Sequence, residues 1–358
     1  MHKNASGQIE KWCYPIIIFW PLFKIVKKIN WPGDNRMNPL FRRLRKGNRS
    51  ITLNNLQIKM FHSVTNKIIS GEYEFEKLHC TCGNENDILL SEIDRYGFEI
   101  NTLMCKNCGL IRTDPYFTDT TLSKFYDNEY RPLYVGMDTY SYDFFLDQIN
   151  LGRDIYRFVD EFMGKKIATV YEIGCGAGGI LKYFQERKCE VYGSDLGNEY
   201  LKYGKKQGLK LVHGSAEELK KFGKADLVIL NHVIEHFKNP VEYLKKIRAL
   251  IKPGGMLYVG APGIKIIPEL YKYDLLFYLQ NAHAYHYTLN TLSFVLGQAG
   301  YRLQKGNERI QSVFTLSEKP VIVEGTNHEY KRILRRLRAY ELIYKIKKIL
   351  PDKSKIAK

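Results

Sequence analysis

Between about Tyr140 and Glu324, short strand-like runs alternate with segments whose apolar residues recur at helical spacing, and that alternation leaves few folds open. The runs are Ile167 to Ile173, Glu190 to Ser194, Lys210 to Val212, Ala225 to Leu230 and Met256 to Gly260. Strands joined through helices build a parallel α/β sheet. A helix near Leu289 to Ala299 follows, then two more strand candidates, Arg302 to Gly306 and Ser312 to Leu316, close enough to pair antiparallel. Seven strands are expected.

The chain has 358 residues, room for about two domains, and its 44% apolar and 26% charged residues exclude a disordered or fibrous chain. Its net charge of +17 is unevenly placed. Residues 1–50 hold eleven basic and two acidic side chains, as do residues 331–358, so each end is +9 and the middle is −1. Two basic ends on a neutral centre call for an anionic surface, either acidic lipid or nucleic acid.

The longest apolar run, Tyr14 to Phe23, is broken by Pro15 and Pro21 and falls short of the roughly 20 residues that a membrane span needs. Lys24, Lys27 and Lys28 follow it without a small-residue cleavage site, so the expectation is a cytoplasmic chain. After Pro21, Leu22, Phe23, Ile25, Val26 and Ile29 share one helical arc and the three lysines the other, with Trp20 and Trp31 flanking. At the far end Ile333, Leu337, Tyr340 and Tyr344 line a stripe beside Arg332, Arg335, Arg336 and Arg338. Both are read as basic amphipathic helices, suited either to packing on the core or to the inner face of a membrane.

Seven cysteines are too few for a secreted disulfide framework, and four fall into two close pairs, Cys80/Cys82 in CTCG and Cys105/Cys108 in CKNCG. Four thiolates on two glycine-terminated turns suit a tetrahedral, structural Zn²⁺. Because the first pair is spaced by a single residue, His79 competes with Cys80 for the fourth position.

The first long strand ends in EIGCGAGG, which places Gly174, Gly176 and Gly178 at a turn feeding a helix through Ile180, Leu181, Tyr183 and Phe184. Glycines there let a ligand approach the backbone closely. The next strand ends at Asp195, where a carboxylate can accept both hydroxyl protons of a ribose. A nicotinamide-binding oxidoreductase shares these features, but Glu172 ahead of the first glycine suits an ammonium group and would repel a pyrophosphate. The string HVIEH, His232 to His236, matches a zinc-protease motif, yet it ends a sheet strand and lacks a distant third ligand. His232 is expected to face the ligand pocket and His236 to begin the next helix.

These motifs resemble, in order and spacing, those of class I S-adenosylmethionine-dependent methyltransferases. The match is closest to a subgroup with VIEHFKNP-, IKPGGMLYVGAP- and HAYHYTLNTL-like segments. The resemblance implies a Rossmann-like seven-stranded methyltransferase sheet, with Glu172, Gly174 and Gly176 around the methionine moiety, Gly178 in the same cofactor-binding turn and Asp195 on the ribose. It implies Ser215, Ala216 and Glu217 at the adenine and Asn231 at the end of the fourth strand; Ser215 stands where the family often has an acid. It also implies that the acceptor side is carried by AHAYHYT, making His283 and His286, with His232, the candidate bases. Sugar C-methylating relatives have an acid before that histidine, where this chain has Ala282. A glycan-modifying subgroup also carries an amino-terminal zinc module with four cysteine ligands.

The expected organisation is a basic amino-terminal extension over 1–70, a zinc module over 71–135, a methyltransferase domain over 136–325 and a basic helix over 326–358. The expected function is O-methylation of a carbohydrate or glycan precursor at the cytoplasmic membrane face. An RNA-directed enzyme, a sugar C-methyltransferase and a non-catalytic scaffold are the alternatives. A neutral centre argues against phosphate tracking, and intact glycines with Asp195 argue against a scaffold.

Overall fold

The structure, a computed structural model, describes residues 39–136, 142–162, 166–319, 321 and 328–349. The helix expected after Pro21, with Trp20 and Trp31, lies outside the described residues, as does the lysine-bearing tail 351–358. Asn54 starts the first helix, α1 (Asn55–Ile69), through a reciprocal cap: its carboxamide accepts the Gln57 N–H at 2.9 Å and the Gln57 side chain accepts the Asn54 N–H at 3.1 Å. The cysteine-bearing stretch folds as β1 (Phe75–Glu76), β2 (Asp87–Ser91), β3 (Thr102–Cys105), β4 (Ile111–Thr113) and β5 (Tyr116–Phe117). Helices α2 (Asp119–Asn128), α3 (Tyr130–Val135) and α4 (Tyr142–Asp160) lead into the alternating region.

That region comprises β6 (Thr169–Ile173), α5 (Gly179–Glu186), β7 (Glu190–Asp195), α6 (Asn198–Lys206), β8 (Lys210–His213), β9 (Ala225–Asn231), α7 (Pro240–Arg248) and β10 (Ile251–Gly260). After α8 (Ile267–Leu270), α9 (Leu275–Tyr278) and β11 (Tyr285–His286) come α10 (Leu289–Gln298), β12 (Tyr301–Gly306), β13 (Gln311–Leu316) and α11 (Glu329–Ile349). The seven long strands form one sheet in the order β12-β13-β10-β9-β6-β7-β8. The pairs from β10 to β8 are parallel, and β13 runs antiparallel to both β10 and β12. Each expected run is a strand within a residue or two, except that β10 starts at Ile251 and crosses Pro253–Gly255 with a register shift. Chain order reverses between β6 and β9, which makes the carboxyl edge beside them the crevice of such a sheet.

One sheet face is covered by α4 and α5 through Phe145, Ile155, Val159, Ile180, Leu181 and Phe184. On the other face Ile173, Leu230, Leu244 and Leu257 share a core with Cys80, Cys105, Cys108, Tyr285 and Tyr287, so the cysteine stretch packs directly on the large sheet. A second, antiparallel sheet in the order β11-β4-β3-β2 explains this union. Tyr285 pairs with Arg112 and His286 with Ile111, so a two-residue strand of the acceptor segment completes the cysteine-bearing sheet. The Arg112 guanidinium, 1% exposed, binds Asp87 through both nitrogens at 2.9 and 2.8 Å and the Leu78 carbonyl at 2.6 Å. A buried arginine tolerates its desolvation only with such bidentate partners.

The helix α11 buries Ile333 and Leu337 against Leu90, Met104, Ile264 and Leu276, and buried Glu341 accepts from Arg43 at 2.8 Å. One expected stripe therefore packs on the core, while Leu342, Ile346 and Ile349 lie exposed elsewhere on the same helix. Among the described residues no helix is long and apolar enough to cross a membrane.

Candidate active site

The turn after β6 is built for close approach. Gly174, Gly176 and Gly178 have φ of 71°, 54° and 76°, the left-handed region where a side chain is strained. A Cβ on Gly174 would meet Val233 Cγ2 at 2.5 Å and one on Gly178 would meet Leu209 Cδ1 at 2.8 Å. Beside Gly176 the nearest atom is Arg131 Nη2 at 4.0 Å, so this glycine alone of the three faces open space. Asp195 closes the turn, with one carboxylate oxygen accepting the Gly176 N–H and the other the Gly197 N–H, both at 2.7 Å. Arg131 of α3 stacks 4.2 Å over the Tyr200 ring and so brackets the same opening.

Glu172, one turn inside, is 3% exposed, and its Oε2 has no hydrogen-bond partner. Burial, then the neighbouring Asp195 carboxylate, push its pKa well above the usual carboxylate range. A cationic ligand group would relieve both effects. Across the crevice β9 ends at Asn231, half-buried, and His232 takes φ of 55° while its N–H donates to the Gly260 carbonyl at 2.8 Å. A left-handed histidine is a strained conformation of the kind that collects at functional sites, and here it delivers Val233 against Gly174.

At the end expected to border an adenine, the structure places Ser215 and Glu217 on the surface and buries Ala216. Ser215 Oγ accepts the Glu217 N–H at 3.3 Å, and the Glu217 carboxylate lies 3.3 Å from Lys246 Nζ. Both polar groups are thus already engaged. Leu196, 55% exposed directly after Asp195, is an apolar platform that sequence reading passed over.

The side expected to receive the acceptor is assembled from three distant segments. The segment holding His283 and His286 is clamped by the small sheet: Thr113 Oγ1 donates to the His283 carbonyl at 2.6 Å, Tyr116 Oη to the Ala282 carbonyl at 2.7 Å, and the Asn281 N–H to Asp94 at 3.0 Å. The His283 and His286 rings lie 5.6 Å apart, and His236 lies 5.0 Å from His283. Burial pushes His286 down to about 3, and burial with the neighbouring imidazoles pushes His283 well below the usual histidine value, so both are neutral at neutral pH. Both ring nitrogens of His286 lack partners. Contrary to expectation, His236 does not begin a helix: Ile234–His236 is a single 3₁₀ turn and α7 starts at Pro240. That turn aims His236 at α2 and α3, where Tyr126 Oη lies 2.7 Å from its Nδ1 and Tyr130 stacks on Tyr134 with centroids 5.7 Å apart.

The four cysteines converge. Cys80–Cys108, Cys80–Cys82 and Cys82–Cys105 sulfurs are 3.4, 3.5 and 3.6 Å apart, and all four lie within 4.8 Å of one another. A tetrahedral site with Zn–S near 2.3 Å needs sulfurs about 3.8 Å apart, so the cradle fits that ion. The His79 side chain is 64% exposed with its Nδ1 3.3 Å from Glu85, so that Cys80 and not His79 stands in the cluster.

Residues 171–259 match the family model described as "Methyltransferase domain". Two ubiquinone biosynthesis O-methyltransferases are among the relatives: that of Dinoroseobacter shibae, 31% identical over 138 residues (36% of this chain, 54% of that protein), and that of Acinetobacter baumannii, 29% identical over 161 residues (39% and 65%). The chain thus spans about half to two-thirds of the length of these relatives. An S-adenosylmethionine-dependent methyltransferase of Archaeoglobus fulgidus aligns with TM-score 0.37 at 21% identity, over 55% of this chain and 93% of its own. Magnesium protoporphyrin IX methyltransferase from Synechocystis, solved with bound S-adenosylhomocysteine, gives 0.39 at 17%, over 56% and 98%. The match to a methyltransferase domain thus falls on β6 to β10, the central strands of the mixed seven-stranded sheet.

Proposed function

We propose that this chain transfers the methyl group of S-adenosylmethionine to an acceptor hydroxyl. The observation that carries the reading is the buried, half-unpartnered Glu172 carboxylate beside Asp195, at the end of a glycine turn whose Gly176 faces open space. S-adenosylmethionine supplies an electrophilic methyl on a sulfonium and an ammonium for that carboxylate to receive. Glu172 then holds the ammonium, Asp195 accepts from the ribose hydroxyls, and Leu196 packs on the base. Gly176 lets the chain approach the ligand without a side chain intervening. The neutral His286, with His283 beside it, takes up the proton that the acceptor oxygen loses, and Tyr126 and Tyr130 wall the chamber.

Four thiolates, Cys80, Cys82, Cys105 and Cys108, hold a structural Zn²⁺ in this reading. The ion would brace the small sheet on which the His283 segment hangs. The acceptor is a carbohydrate or glycan-precursor hydroxyl: the sequence resembles a glycan-modifying subgroup that also carries an amino-terminal cysteine module, and an aromatic wall suits the apolar face of a sugar ring. The curated relatives favour a second acceptor class, a phenolic hydroxyl, through their names. Attachment to the inner membrane face is supported by the exposed Leu342, Ile346 and Ile349 on α11 among Lys345, Lys347 and Lys348.

Purified full-length protein incubated with S-adenosylmethionine and, separately, nucleotide sugars and simple catechols tests the acceptor. Mass gain of one methyl on a sugar is expected. Methylation of the phenol alone would move the substrate to the second class, and binding of the donor with neither product would exclude both acceptors.

A further inference from the structure

Glu235 is the most anomalous side chain in the chamber. It is 1% exposed, and neither carboxylate oxygen accepts a hydrogen bond; His232 Nδ1 lies 3.3 Å from Oε1. A buried carboxylate without hydrogen bonds is among the costliest groups a fold can keep, and a bound cation is what offsets that cost. Two imidazoles stand beside it. One ligand atom from each of Glu235, His236 and His283 can be chosen so that all three lie within 4.8 Å of one another.

His236 is also oriented as a ligand needs to be, while the His283 ring has the Gln280 carboxamide against its Nε2. His236 Nδ1 sits 2.8 Å from the Ala282 carbonyl, which can only accept, so Nδ1 carries the ring proton and Nε2 keeps its lone pair. A ring N–H tied to a backbone carbonyl is how metal-binding imidazoles are commonly fixed. The backbone about His283 is held by Thr113, whose hydroxyl donates to the His283 carbonyl and whose N–H donates to the Ala284 carbonyl at 2.9 Å. Two imidazoles and one carboxylate also leave coordination positions open.

We propose that Glu235, His236 and His283 form a second metal site, distinct from the four cysteines, that takes one divalent cation and through it the acceptor hydroxyl. Cation binding stands on this geometry alone; its catalytic use rests on the methyl-transfer reading. In that use the acceptor O–H, polarised on an open position, gives its proton to His286. The freed oxygen pair forms the O–CH₃ bond as the S–CH₃ bond breaks, and the breaking bond's electrons go to sulfur, leaving a neutral thioether.

The test uses the full chain with its cysteine site loaded with zinc, titrated with Mn²⁺ alone, because oxygen and nitrogen ligands suit Mn²⁺ and thiolates do not. The electron paramagnetic resonance signal of free Mn²⁺ reads the binding. One Mn²⁺ per wild-type chain is expected, with affinity at least tenfold lower in both Glu235→Gln and His283→Asn, and with a Mn²⁺-dependent rise in Tm confined to wild type. Glu235→Gln keeps the side chain's shape and removes a buried charge, so its metal-free Tm is expected to be no lower than wild type. Absence of Mn²⁺ binding by the wild-type chain, or equal binding by a folded variant, overturns the proposal. S-adenosylhomocysteine titrated into the same samples separates the two readings: its failure to bind beside intact Mn²⁺ binding would remove the methyl-transfer role and leave the metal site.

Discussion

The glycine turn with Asp195, the proposed donor edge, and the histidine cluster, the proposed acceptor chamber, are made in opposite ways. The donor edge is local: Glu172, three glycines and Asp195 sit on two adjacent strands within 24 consecutive residues, and their hydrogen bonds are to each other's backbone. The chamber is gathered from afar. His236 follows β9, His283 and His286 are held by β4 of the cysteine-bearing sheet, and Tyr126 and Tyr130 come from α2 and α3. A site built from one turn survives or fails with that turn, whereas a gathered site depends on every element that brings its parts together.

Removing the cysteine cluster would widen this contrast most. Structural zinc contributes on the order of 10 kcal/mol to a small module, comparable with the roughly 5 to 15 kcal/mol stability of a whole domain. In Cys105→Ser, zinc content is expected to fall from one ion per chain to none, near-ultraviolet circular dichroism to lose the signature of the packed Tyr285 and Tyr287, and methyl transfer to disappear. Calorimetry should still find S-adenosylhomocysteine bound within several-fold of wild type. If donor binding vanishes too, the two regions are one cooperative unit and the comparison fails.

Gly176→Val attacks the other side. A β-branched residue at φ of 54° costs about 1–2 kcal/mol of backbone strain, and the new side chain stands in the opening that faces the ligand. Donor affinity is expected to fall beyond about 100-fold, with zinc content and the near-ultraviolet spectrum unchanged; unaltered affinity would place the donor elsewhere.

Acid should find the chamber before the donor edge. His286, held at about 3, stays neutral in the folded chain while the unfolded chain takes up a proton near pH 6.5. Stability from this source is therefore complete above about pH 6.5 and declines as pH falls toward 3. His283 acts in the same direction. The urea midpoint of wild type should drop between about pH 7 and 4.5, and His286→Asn should flatten that drop; an unchanged slope would mean that His286 is not buried uncharged. The smallest effect is expected from Tyr126→Phe, which removes one hydrogen bond at His236, about 1 kcal/mol. A few-fold rise in acceptor KM with donor affinity intact would localise Tyr126 to the chamber.

The same contrast governs what the sequence reveals. The central strands β6, β7, β9 and β10 are legible because each buries a continuous run, and the glycine turn because its residues are consecutive. The two-residue β11 carries no period of its own, so the union of the cysteine-bearing sheet with His283 and His286 is invisible until the chain is folded. HVIEH illustrates the cost. Its Glu235 and His236 have no meaning until His283, 47 residues later, arrives beside them, and the short 3₁₀ turn that aims His236 has no helical periodicity to announce it. In α11 the apolar spacing does give the buried stripe of Ile333 and Leu337, since that stripe packs within one helix.

The central claim, that the glycine turn with Asp195 is an S-adenosylmethionine site, is tested most directly by calorimetric titration of S-adenosylmethionine into wild type and Asp195→Ala, with NAD as competitor. Hydrogen bonds to a carboxylate are worth about 1.5–3 kcal/mol, so the account predicts binding weakened roughly 10- to 150-fold in the variant and indifferent to NAD. Wild-type protein that is folded and zinc-loaded yet binds no S-adenosylmethionine, or a variant that binds it as tightly, would contradict it.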